Sequence, residues 1–252
     1  MRPRIIVMLH IMGGGVYQTT GFGKSKYIGD PINTATLLND LEVDELVVVD
    51  GGASKNSRGP DFKLMDKLRS RCFFPVSYGG GVNSLEAADA LFKMGIEKVI
   101  LNSVLFSQPE LFAELTQKYG SQSVVLNIDV KRNWLGKNKV YSHTKARVPV
   151  ADPMTWIRYL LALATPGEVL LTNVNRNGSY MGYELELLKR LVTEFPDLPV
   201  VINGGAASLQ DMVTAVAAGA HACSASSMFV FKNNGVLINY PEQLVLRNLF
   251  DE

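Results

Sequence analysis

Cysteine is nearly absent from this chain: Cys72 and Cys223 are the only two in 252 residues. Neither has the spacing of a metal-ligand set, and two thiols cannot build the dense disulfide framework of a small secreted domain. Reduced, buried thiols in the cytoplasm are the simplest expectation. No apolar run reaches the roughly 18 residues that a membrane-spanning helix needs. The apolar stretch Ile5–Leu9 is too short for a secretory signal and reads as a first strand. An excess of one charge is missing too. Lys and Arg number 25 against 24 Asp and Glu, a net +1, so neither nucleic acid nor a membrane surface is expected as a partner. Histidine is scarce, with three residues. His143 and His221 lack ligand spacing and read as structural, so no metal and no cofactor is expected.

What the chain does have is a repeat. Pro75-Val76, Gly80-Gly81, Ser84-Leu85, Gly95 and Ser103 recur as Pro199-Val200, Gly204-Gly205, Ser208-Leu209, Gly219 and Ser227, each 124 residues on without a gap. Each copy reads as buried strand, glycine-pair turn, helix, strand, so two equivalent halves are expected. A strand that runs into such a turn before a helix presents backbone N–H groups, which suit a phosphate. The first copy offers Gly80, Gly81, Asn102 and Ser103. The second offers Gly204, Gly205, Ser226 and Ser227, with Gly178 beside them. Two such places predict a substrate with a phosphate at each end.

Composition is that of a globular protein, with 47% hydrophobic and 19% charged residues. Short apolar runs predict strands near 5–10, 45–50, 74–78, 98–102, 123–129, 168–172, 199–203 and 221–225. Amphipathic patterns predict helices near 31–41, 60–71, 84–95, 108–119, 151–164, 183–194, 208–218 and 241–249. That alternation, at a length close to the usual 250 or so, predicts one (β/α)8 barrel domain over residues 1–252. Two loops are long, Ile11–Gly29 and Lys131–Val150, and long barrel loops usually serve the active site. Gly21-Phe22-Gly23-Lys24-Ser25 looks like a phosphate-binding P-loop but has Gln18 where the first glycine belongs. It reads as a lid, with Lys24 or Lys26 available to a phosphate. Trp134 and Tyr141 are expected in a hairpin, and Trp156 in helix packing.

The C-terminal strand ends of such a barrel carry the chemistry. Val124–Asp129 ends in a carboxylate, and its partner in the other half, Ile5–His10, ends in an imidazole. His10 and Asp129 are expected to face each other as a general acid/base pair. The plainer alternative pairs Asp129 with Lys131 or Arg132 and gives His10 a backbone carbonyl. Asp50, ending the second strand, is a third catalytic candidate, with loop orientation as its alternative.

Read in order, Gly29-Asp30-Pro31, Asp44-Glu45-Leu46 through Asp50 and Ala53-Ser54, Tyr78-Gly79-Gly80-Gly81, Asn102-Ser103, Gly120-Ser121-Gln122, Ile128-Asp129-Val130-Lys131-Arg132, Gly167 through Thr172, Arg176-Asn177-Gly178, Gly182-Tyr183 and Gly204-Gly205-Ala206 form one ordered set. Over nearly the whole chain this set resembles the cyclase subunit of imidazole glycerol phosphate synthase. The resemblance implies a glutaminase partner on the N-terminal barrel face and ammonia passing through the barrel. It implies a two-phosphate substrate at the C-terminal face, worked on by one aspartate from each half. It also implies a gate of four charged strand-end residues, matched here by Arg4, Glu45, Lys98 and Glu168. Ordinary ion pairing at strand ends is the alternative for these four. Glu97 beside them could meet a basic residue of the partner.

The chain departs from that pattern at its mouth. His10 stands where the first catalytic aspartate belongs, Gln18 where the lid carries a lysine, and Asn177 where an aspartate is frequent. Gly13-Gly14-Gly15 replaces a polar, charged stretch. Histidine moves protons near neutral pH, but charge and reach differ at a position where about an ångström matters. These departures resemble the divergent branch that serves surface-polysaccharide (O-antigen) synthesis. There a glutaminase, a cyclase-like barrel and a separate sugar amidotransferase act together on a nucleotide-linked sugar. The first expectation is therefore an ammonia-channelling subunit for amidation of a phosphorylated or nucleotide-linked sugar. An authentic histidine-pathway cyclase comes second, and a non-catalytic scaffold third.

Overall fold

The computed structural model describes residues 2–21, 23–54, 56–144, 151–232, 235–236 and 238–250. Eight parallel strands close on themselves: β1 (Arg4–Met12), β4 (Glu45–Asp50), β5 (Val76–Gly79), β6 (Lys98–Leu101), β7 (Val124–Arg132), β9 (Glu168–Asn173), β10 (Val200–Asn203) and β11 (Ala222–Ala225). Closure is made by β11 pairing β1, with Arg4 opposite Ala222 and Val7 opposite Ala225. Around them lie α1 (Pro31–Asp40), α2 (Phe62–Arg69), α3 (Leu85–Lys93), α4 (Glu110–Tyr119), α5 (Pro153–Leu161), α6 (Leu185–Glu194), α7 (Leu209–Ala217) and α9 (Gln243–Phe250). This is the expected (β/α)8 barrel.

The strands are apolar on both faces because both are covered. Along β1, Ile5, Val7, Leu9 and Ile11 join the large core under the helices, while Ile6 and Met8 turn into the barrel. Inside, Ile6, Met8, Val47, Ile100, Val125, Leu170, Val201 and Ala222 form a second, separate apolar core. Helix starts are set locally. The Asp30 carboxylate accepts from the N–H groups of Ile32 and Asn33, with Pro31 at the first helical position. Such a cap stabilises a helix by about 1 kcal/mol.

The repeat is geometric as well as sequential. Helix α3 and α7 have bounds 124 apart (209 − 85 and 217 − 93), as do β6 and β11 (222 − 98 and 225 − 101). Ser84 and Ser208 cap the two helices in the same extended conformation, φ −154° and −149°.

Two features differ from the expectation, and between them a third, the hairpin around Trp134 and Tyr141, follows it. The stretch 11–29 is a β-hairpin rather than a loop: β2 (Gly15–Thr20) pairs antiparallel with β1 and with β3 (Lys24–Gly29). Its Val16 and Ile28 are buried in the main core, so the hairpin base is packed down. The P-loop look-alike is the turn of this hairpin, and the Lys24 side chain lies outside the described residues. After β7 the chain folds back as β8 (Asn138–Val140), Val130 opposite Val140, with Trp134 in the connecting turn. Residues 145–150 of that long loop lie outside the described residues. Finally, a short helix α8 (Ser227–Val230) precedes the last barrel helix. It is the counterpart of a 3-10 turn at Ser103–Phe106 (227 − 103 is again 124). Residues 231–232 and 235–236 form the small pair β12 (Phe231–Lys232) and β13 (Gly235–Val236).

Cys72 and Cys223 are free and buried. Burial pushes their thiols up, to about 11 and about 12. Among the described residues no helix is long and apolar enough to cross a membrane.

Candidate active site

The barrel lumen has an apolar waist and two polar ends. At the N-terminal end Arg4, Glu45, Lys98 and Glu168 converge from β1, β4, β6 and β9. Arg4 binds both Glu45 and Glu168. Lys98 Nζ lies 3.1 Å from Glu45 and 3.2 Å from Glu168. Ser77 Oγ also donates to Glu45, at 2.9 Å. Glu45 is almost fully buried and its three donors offset the cost of burying its charge. Burial disfavours the Arg4 charge, yet the fields of Glu168 and Glu45 outweigh it and raise its pKa. Two cations and two anions thus neutralise one another across the barrel bottom. Glu97 lies exposed beside them.

At the other end Asp129 is 3% exposed and ringed by donors. Asn102 Nδ2 donates to Oδ2 at 2.7 Å and Asn127 Nδ2 to Oδ1 at 3.1 Å. Asn127 is itself held by Thr172 at 3.0 Å, and Thr172 by Asn203 at 3.3 Å. Each side chain follows from strand periodicity, since alternate residues of β7, β9 and β10 point into the barrel. Lys131 and Arg132 are exposed on the extension of β7, so the plainer pairing for Asp129 is not what forms. The Asp129 ring of contacts includes His143, whose Nε2 sits 3.0 Å from Oδ2.

His10 is buried and close enough to Asp129 to feel its charge. Desolvation dominates, however, and lowers its pKa to about 4 despite that carboxylate. The ring is neutral at pH 7. His10 is thus a neutral imidazole within range of the Asp129 charge. Asp50 is committed elsewhere: it binds Arg58 at 2.6 Å and accepts from the N–H groups of Gly52 (3.0 Å) and Ala53 (3.1 Å). Its geometry is that of a loop-orienting carboxylate, the alternative reading.

The two glycine cups lie at the C-terminal strand ends. Gly80 and Gly204 both have positive φ, 128° and 91°. A Cβ on Gly80 would lie 2.6 Å from the Asp50 carbonyl oxygen, and one on Gly204 would lie 2.8 Å from that of Asn173. Only glycine permits those approaches. Beside the first cup Asn102 turns its amide to Asp129, and Ser103 opens the 3-10 turn. The Gly81 N–H meets Ser54 Oγ at 3.3 Å. In the second cup Gly205 follows β10, and Ser226 leads into α8, which Ser227 opens.

The hairpin β2–β3 is fastened over this second cup. Asn177 Nδ2 donates to Thr19 Oγ1 at 2.8 Å, and the Gly21 N–H donates to the Asn177 carbonyl at 2.9 Å. Gly178 lies against the Thr19 carbonyl, leaving no room for a Cβ. Gln18, nearly buried, reaches Tyr180 at 3.4 Å, and the Tyr180 hydroxyl donates to the Ser227 carbonyl at 3.3 Å. Tyr180 holds φ 58° to do so, a strained value for a bulky residue.

His143, which the sequence reads as structural, is brought to Asp129, and the Asn177 amide, singled out in the sequence as a departure from aspartate, is the donor that a carboxylate could not replace. The signal for His143 was its place in a long loop on the C-terminal face. His221 is structural, accepting from the Val200 N–H at 3.2 Å. Trp156 stacks between Phe106 and Tyr159, centroids 5.3 and 5.4 Å apart. Among the described residues no group of three or more His, Cys, Asp or Glu is placed to hold a metal ion.

Comparison with known proteins agrees with this architecture. Residues 4–234 match the family described as "Histidine biosynthesis protein". A Leptospira interrogans protein named "Putative imidazole glycerol phosphate synthase subunit HisF" is 36% identical over 247 residues, covering 96% of each chain. A Pseudomonas aeruginosa protein of the same name, numbered hisF2, is 35% identical and covers 96% of this chain and 97% of its own. The "Imidazole glycerol phosphate synthase subunit HisF" of Corynebacterium diphtheriae is 34% identical, with 90% of each chain covered.

Proposed function

Because the chain belongs to the histidine biosynthesis protein family, as a HisF-type member, we propose that it is the synthase subunit of a glutamine amidotransferase. In this reading a glutaminase docks at the N-terminal barrel face and its ammonia passes up the lumen. The ammonia meets a substrate with two phosphates at the C-terminal face. One observation carries the reading: the charged cluster and the Asp129 cup close opposite ends of the same apolar lumen. Arg4, Glu45, Lys98 and Glu168 act as the gate. Asp129 serves the chemistry, and Gly80, Gly81, Asn102, Ser103, Gly178, Gly204, Gly205, Ser226 and Ser227 supply the phosphate cups. Phe73, 88% exposed in the loop entering β5, and Leu37, 49% exposed on α1, support an apolar docking surface at the lower face.

The reaction favoured by the relatives' names is ring closure to imidazole glycerol phosphate. The sequence alone places sugar amidation first; the names of the relatives given above point to imidazole glycerol phosphate synthesis, and the order is reversed. The sugar reading, with a separate amidotransferase as third protein, keeps one observation in its favour. His10, neutral and buried, stands where ring closure in the resembled family uses a second carboxylate. The test is turnover of the two-phosphate histidine-pathway substrate by the isolated chain with ammonium. Product formation supports ring closure. Its absence, alongside retained binding of that substrate, favours an ammonia-delivering role toward another acceptor.

A further inference from the structure

We propose that His143, paired with Asp129, is the proton-carrying group of this site; the proposal rests on the ammonia-consuming reading above. Geometry carries it. Asp129 is all but inaccessible at 3% exposure, while His143 keeps 30% of its side chain exposed beside it at 3.0 Å. A substrate at the mouth therefore meets the imidazole before it meets the carboxylate. Both Asp129 oxygens already accept from amides, Asn102 at 2.7 Å and Asn127 at 3.1 Å. The carboxylate is thus fixed in place and poorly free to travel to a substrate.

The tautomer follows from the same contact. An ionised carboxylate only accepts hydrogen bonds, so His143 Nε2 carries the hydrogen and Nδ1 is the basic nitrogen. Tyr141 holds the ring edge-on, centroids 4.7 Å apart, and its N–H donates to the Asp129 carbonyl at 2.8 Å. The imidazole is thereby oriented by the same strand end that carries its carboxylate. Among the described residues, the charged and titratable groups shown about it include Asp129, His10, close enough to feel a charge on His143, and Lys131, whose Nζ lies 5.2 Å from the centre of the Tyr141 ring.

The step balances simply. Ammonia adds to an electrophilic carbon of the substrate and its nitrogen becomes cationic. Nδ1 takes one proton from that nitrogen, forming an imidazolium whose other N–H stays bonded to Asp129. The same proton then goes to the departing oxygen or nitrogen, and the ring returns to neutral. An orienting carboxylate behind an imidazole is an effective arrangement because it stabilises the cation only while it exists.

Two arms test this. In the first, His143→Ala and His143→Gln are assayed with ammonium and the two-phosphate histidine-pathway substrate. We expect kcat to fall about 100-fold or more in both, with KM nearly unchanged and part of the Ala loss restored by added imidazole. Glutamine keeps an amide donor for Asp129 but carries no proton, so wild-type kcat in His143→Gln would overturn the proposal. In the second arm, imidazole 15N chemical shifts of the wild-type chain should report His143 as the Nε2–H tautomer, lost in Asp129→Asn. A Nδ1–H tautomer, or a signal indifferent to Asp129→Asn, overturns it. If the wild type shows no turnover, ring closure falls, and the shifts alone decide the His143–Asp129 unit.

Discussion

The two ends of the lumen use the same kinds of residue to opposite ends. At the bottom, four charges are cross-paired until they cancel, and Ser77 fills the remaining demand of Glu45. At the top, one carboxylate faces neutral amides and an imidazole, with no cationic side chain in direct contact among the described residues. Mutual cancellation gives a narrow polar plug. An anion held by neutral donors keeps its charge available to a developing cation. The lesson is that partner choice, more than residue type, separates a gate from a reactive cup.

The sharpest way to break the comparison is at the top. Asp129→Asn should keep the barrel, since its amide oxygen still accepts from one of Asn102 and Asn127 while its NH2 loses the other, and should lower ammonium-driven turnover by about 1000-fold, roughly 4 kcal/mol of barrier. Steady-state kinetics beside a thermal melt measures both. If turnover persists, the cup is not the reactive end.

At the bottom, Lys98→Ala leaves two carboxylates with one cation. A loss of about 3 kcal/mol is expected, the scale for stripping one partner from a mostly buried pair. Glutamine-driven product formation should fall while ammonium-driven formation holds. Equal effects on both would mean that the cluster supports the fold and gates nothing.

His10 sharpens the contrast through pH. Its folded pKa of about 4 lies below the ordinary 6.5. The unfolded chain therefore binds a proton that the folded chain refuses, and stability drops as pH falls from about 6.5 toward 4. Between pH 7 and pH 5 the wild type should lose about 2 kcal/mol relative to His10→Gln, read from urea midpoints. His10→Asp should recover at most weak extra ring closure, because the neighbouring Gly13-Gly14-Gly15 is altered as well. Parallel urea titrations of wild type and His10→Gln would contradict the neutral, buried imidazole.

The smallest effect concerns the hairpin. Asn177→Asp removes the donor to Thr19 and sets a carboxylate near the Thr19 carbonyl, which Nδ2 reaches at 3.3 Å. About 1 kcal/mol of the fastening should be lost. Faster hydrogen exchange at the Gly21 N–H, with barrel strands unchanged, is the expected signature.

Much of this molecule was legible in one dimension. Uninterrupted apolar strands between amphipathic helices require a parallel sheet covered on both faces, and eight such units close a barrel. A gap-free repeat of 124 residues fixed the equivalence of the halves and located both glycine cups. Strand-end positions of Arg4, Glu45, Lys98, Glu168 and Asp129 follow from counting, because the side chains of a strand alternate with period two. What tertiary structure alone decided is which partner each polar group found. Asp50 went to Arg58, eight residues away across a loop, and Asn177 to Thr19, 158 residues away. His143 came to Asp129 through a loop whose path no periodicity encodes. Periodic patterns report the direction a side chain faces. They do not report which distant group waits there, since that depends on loop closure and on the burial that sets the cost of leaving a polar atom unmatched.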